Sequence, residues 1–101
     1  DNIKDHVFIP NAFSPNNDGS NDVFMVRMDT GLAIIEQMII YDRWGNKVFE
    51  RNNILPNNPL DGWNGYYKNE IAQSEVYGYF ITLKFIDNQI LKLKGNVTLL
   101  K

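Results

Sequence analysis

Residues 76–87 read VYGYFITLKFID, and the period of this stretch decides the fold class. Tyr77, Tyr79, Ile81, Leu83 and Phe85 fall on one side and Gly78, Phe80, Thr82, Lys84 and Ile86 on the other, which is the two-residue repeat of a β-strand. Asp87-Asn88-Gln89 follows and suits a tight hairpin turn. Beyond it Leu91, Leu93, Val97 and Leu99 alternate with Lys92, Lys94, Asn96 and Thr98, so the return strand keeps one face in water. Gly95 interrupts that strand and marks either a bulge or the close approach of another backbone.

Working outward, residues 34–42 (IIEQMIIYD) and 46–50 (NKVFE) flank Arg43-Trp44-Gly45, a second hairpin whose turn uses Gly45. Residues 6–9 and 23–28 supply shorter strands. Residues 52–60 (NNILPNNPL) read as loop, and residues 71–74 read equally as a turn or a short strand. No segment has the 3.6-residue period of an amphipathic helix. The fold class expected is therefore an all-β, antiparallel immunoglobulin-like β-sandwich of about seven strands. Leu91, Leu93, Val97, Leu99, Tyr79, Ile81 and Leu83 are expected inside it.

Composition bounds the function. A chain of 101 residues with ordinary apolar and charged fractions fits one domain, residues 1–101, read as a piece of a longer secreted or surface protein. The net charge of −2 comes from interspersed acids and bases, so no basic face invites nucleic acid. Without cysteine there is neither a disulfide framework nor a thiolate metal site. No apolar run approaches the roughly 20 residues that span a bilayer, and the start DNIKDHVF lacks a signal-peptide pattern.

Catalytic chemistry is thin. The lone His6 has no cysteine to activate, no serine sits in a Gly-x-Ser-x-Gly elbow, and nothing sets two carboxylates across a cleft. The reading is not an enzyme. Residues 11–24, NAFSPNNDGSNDVF, are the densest cluster of turn formers. Asn16, Asp18, Ser20 and Asp22 present oxygens at alternate positions around Gly19, as the first half of a calcium loop does, but the twelfth position counted from Asn16 is Arg27. The plainer reading makes Asp18 and Asp22 acceptors for backbone amides in consecutive Asx turns, a structural clamp first and a recognition surface second. Trp44, Trp63, Tyr66 and Tyr67 either close the ends of a small core, with the indole N–H bonded to a carbonyl, or stack on sugars as in a carbohydrate-binding or adhesive module. Arg43 is a solvated hairpin charge, or a guanidinium that pins the corner by lying on an aromatic ring or pairing with a carboxylate.

The order of these segments resembles the type B C-terminal sorting domain of the type IX secretion system, also called the gliding-motility-associated C-terminal domain, of Bacteroidetes. Asn11-Ala-Phe-Ser-Pro-Asn-Asn-Asp-Gly-Ser-Asn-Asp matches the family's N-x-F-[ST]-P-N-G-D-G-x-N-D. Arg43-Trp44-Gly45 with Val48 and Phe49 matches R-W-G-x-x-V-[FY], Trp63-Asn-Gly65 matches W-x-G, and Lys94-Gly-Asn-Val-Thr-Leu99 matches K-G-x-[VI]-T-L. Asn17 replaces a usual Gly, Ser20 a usual apolar residue, and Glu75 a frequent Gly. The resemblance marks Asn11, Phe13, Pro15, Asn16, Asp18, Gly19, Asn21, Asp22, Arg43, Trp44, Gly45, Trp63, Gly65, Lys94 and Gly95 as recognition or structural positions. It implies a signal that carries upstream cargo domains across the periplasm, is read by the outer-membrane translocon and its associated proteins, and leaves the cargo on the cell surface or outside. No cofactor is implied, calcium at Asn16, Asp18, Ser20 and Asp22 being the one candidate.

Overall fold

The two long hairpins pair with each other to make the centre of one sheet. The computed structural model describes residues 6–16, 22–29 and 33–100. Its strands are β1 (Val7–Phe8), β2 (Ala12–Phe13), β3 (Arg27–Met28), β4 (Ala33–Tyr41), β5 (Lys47–Ile54), β6 (Tyr66–Tyr67), β7 (Glu70–Ile71), β8 (Val76–Phe85) and β9 (Ile90–Leu99). The main sheet has the order β2-β9-β8-β4-β5, with two-stranded ribbons β1-β3 and β6-β7 beside it. β-Branched and aromatic side chains at alternate positions fit a pleated surface with one buried face. The buried face is that of Ile35, Met38, Ile40, Tyr77, Ile81, Leu83, Val97 and Leu99.

Across from it, Phe24, Val26, Met28 and Trp63 complete a single core. This second layer is thin. It consists of the β1-β3 ribbon and a bridge in which Phe24 and Trp63 exchange backbone hydrogen bonds of 2.8 and 2.9 Å. The all-β, two-layered class expected from the alternation is the one observed.

Several details differ from expectation. The described residues form nine strands rather than about seven, because five of them span only two residues and are too short to show a period. One pairing is parallel, β2 with β9. Within residues 23–28 only Arg27 and Met28 are strand, Phe24 contributing its bridge. β5 runs on to Ile54, three residues into the expected loop, and Ile71 joins β7. At Gly95 there is no bulge: the β8–β9 register is unbroken from Val76↔Thr98 to Lys84↔Ile90. The close approach there is by a side chain, since a Cβ at Gly95 would stand 2.6 Å from the Tyr79 hydroxyl. Finally, Tyr79, Leu91 and Leu93 are only half-buried. Over Leu91 and Leu93 the second layer offers Val7 and Ile9, which leave a cleft of about 160 Å³.

Candidate recognition surface

The motif segments meet at the end of the sheet where β2 and β9 finish and β8 begins. Trp63, at 1% exposure, is the hub. Its ring lies 5.4 Å from Phe13, 5.1 Å from Tyr77 and 6.5 Å from Phe49, centroid to centroid. Its indole N–H donates to the Tyr66 carbonyl at 3.0 Å, so the buried polar atom is satisfied. Gly65 turns the chain at φ +85°, and a Cβ there would stand 2.9 Å from Pro15 Cγ. Both the left-handed backbone and the contact with Pro15 require glycine. Phe13, Pro15, Trp63 and Gly65 are thus parts of one packed corner.

Of the loop between Pro15 and Asp22, residues 17–21 lie outside the described residues, and with them the expectations on Asp18, Gly19, Ser20 and Asn21. Asp22 Oδ1 accepts the Asn16 amide at 3.2 Å, the kind of bond a clamp needs. No group of three or more His, Cys, Asp or Glu close enough to hold a metal occurs among the described residues.

The turn of residues 42–46 is built on one carboxylate. Asp42 Oδ1 accepts the amides of Trp44 at 2.9 Å and Asn46 at 2.8 Å, and Oδ2 accepts the Asn46 side chain at 3.1 Å. Desolvation works to raise the Asp42 pKa, but the bonds from Asn46 and Trp44, helped by the Arg43 charge, outweigh it and hold the carboxyl below its usual value. Gly45 completes the turn at φ +83°. Arg43 lies over the Trp44 ring, with Cζ 5.1 Å from the centroid. Trp44 itself is 75% exposed, so no core packing accounts for it.

Beside Trp44 opens a cleft of about 290 Å³, walled by Trp44, Tyr67 and Tyr77 and edged by Asp42, Glu70 and Glu75. The Tyr77 hydroxyl donates to the Gln73 carbonyl at 2.8 Å. Burial raises its pKa first, and the negative charges of Glu75 and Asp42 add to the rise. Glu75 Oε1 is buried with no hydrogen-bond partner among the described residues. The arrangement offers stacking area and hydrogen-bond acceptors. On the outer face of the sheet, Lys94, Gly95 and Asn96 share a shallower groove with Tyr41, Gly45 and Phe80.

The fold therefore sorts the motif positions into two kinds. Phe13, Pro15, Trp63, Gly65 and Gly95 are packing positions, whereas Asn11, Asn16, Arg43, Trp44 and Lys94 are exposed. Asn11 contributes its carbonyl, which accepts the Thr98 amide at 2.9 Å. Glu70 and Glu75 were missed as cleft residues. They sit in short irregular stretches with no spacing signal, and only the departure from a usual Gly at Glu75 set that position apart.

The motif residues thus build one packed corner of a two-layered β-domain and leave an exposed tryptophan beside it. The chain matches the family described as the CHU_C type IX secretion signal domain over residues 7–99, which takes in every strand, and it belongs to that family. No curated protein matches it. Membership makes it a secretion signal of the type IX system and implies export. No helix among the described residues is long and apolar enough to cross a membrane.

Proposed function

We propose that this domain carries an attached cargo protein through the type IX machinery to the cell surface or the medium, read by the outer-membrane translocon and its associated proteins, and that it transforms no substrate itself. The observation that carries this reading is the family match over residues 7–99, which coincides with the whole fold rather than with one motif. A rigid sandwich suits the task, because its turns and edges keep one shape whatever cargo precedes it. The test fuses residues 1–101 behind a signal peptide and a passenger. The passenger should reach the surface of a host with the type IX apparatus and stay in the periplasm of a host lacking the translocon. Equal export from both hosts would sink the proposal.

A second reading, sugar binding, draws on the exposure of Trp44 beside Tyr67. Trp63 is too deeply buried to stack on a ligand, so the variant that examines this reading is Trp44→Ala. Saturable polysaccharide binding lost in Trp44→Ala, by a domain that exports no passenger, would favour the carbohydrate module.

A further inference from the structure

β9 has a strand neighbour on one side only for most of its length. On the far side β2 covers Thr98 and Leu99 and no more. The amides of Thr98 and Leu100 donate toward β2, to Asn11 and Phe13, each at 2.9 Å, while the Leu99 amide donates to Glu75 on the β8 side at 3.0 Å. Strand alternation then directs the N–H and C=O groups of Ile90, Lys92, Lys94 and Asn96 to the side that β2 does not reach. They have no backbone partner among the described residues. Such a row is a ready template for another strand.

The opposite edge of the sheet is blunted. β5 carries a register shift opposite Ile40 and Tyr41, Asn53 sits at φ 56°, and the Arg51 guanidinium crosses to the Leu60 carbonyl at 2.9 Å. These devices discourage pairing there. β9 has none of them.

The side chains along the free edge define what fits. On its inner side lies the unfilled cleft of Val7, Ile9, Leu91 and Leu93, which takes an apolar side chain. On its outer side Lys92 and Lys94 are exposed and in no ion pair among the described residues, on a chain whose net charge is −2. A second copy paired edge to edge would set these lysines against one another, and like charges across a strand pair are unfavourable. We propose that the β9 edge receives an extended, acidic segment of another protein by strand addition. Its alternate apolar side chains enter the cleft, and its carboxylates meet Lys92 and Lys94. The segment's membership of the export machinery rests on the secretion-signal reading, whereas the edge is measured on the isolated chain.

The experiment offers residues 1–101 two synthetic peptides, one alternating Glu with Leu and one alternating Lys with Leu. It follows amide hydrogen exchange and affinity. The Glu peptide should slow exchange at Ile90, Lys92, Lys94 and Asn96 while leaving Leu91 and Leu93, already bonded to β8, unchanged. The Lys peptide should bind at least about tenfold more weakly. The double variant Lys92→Glu, Lys94→Glu, both surface changes, should reverse that preference. Absence of binding, equal binding of both peptides, or protection that grows with domain concentration alone overturns the proposal. Passenger export by the unaltered domain reports separately on the secretion reading, so the two can fail independently.

Discussion

Asn57 acts as a strand partner for Met28, 29 residues away: its Oδ1 accepts the Met28 amide and its Nδ2 donates to the Met28 carbonyl, both at 2.9 Å. Its own amide donates to Val26 at 2.8 Å, and its backbone is left-handed at φ 65°. One side chain thus satisfies the outer edge of β3, where no further strand lies among the described residues. Asn57→Ala should destabilise the domain by about 2–4 kcal/mol in urea titration, because both Met28 groups lose partners and alanine resists this backbone conformation. Asn57→Gly should cost less, since it restores the conformational freedom alone. Equal stability of all three proteins would refute the role.

The two tryptophans separate structure from recognition. Trp63→Ala should cost about 3–5 kcal/mol through the cavity left among Phe13, Phe49 and Tyr77. Trp44→Ala, at an exposed site, should change stability by less than about 0.5 kcal/mol and still lower passenger export. A stable Trp44→Ala domain that exports fully would remove the turn from the recognition surface.

Asp42 links the turn to pH. Its folded pKa lies below the unfolded value of 3.8, so its contribution is present above that value and is lost as pH falls through the folded pKa. Melting temperatures measured between about pH 2 and 5 should fall less steeply in Asp42→Asn than in the unaltered domain. Parallel profiles would show that the carboxylate does not support the turn.

At the N-terminal loop, the Asp22 bond to the Asn16 amide sets clamp against ion. The clamp reading expects Asp22→Ala to lower the melting temperature by the same amount with calcium or with chelator, the unaltered domain being indifferent to both. Under a calcium reading, chelator alone would lower it in the unaltered domain, by mass action on a folded-state ligand, and Asp22→Ala would abolish that response.

The amino-acid order by itself determined the all-β class, both long hairpins and the family, because strands of eight to ten residues show their period and the motifs are contiguous. It placed Ile81, Leu83, Val97 and Leu99 on the inner face correctly. Tertiary structure decided the rest. Two residues such as Ala12 and Phe13 define no period, so the parallel edge of β2 on β9, and the stretch of β9 left open beyond it, exist only once distant segments meet. Trp44 and Trp63 both stand near glycines in turn-rich sequence. One is displayed and the other buried because Phe13, Phe24 and Tyr77 converge on Trp63 alone, a convergence set by long-range packing that no local pattern encodes.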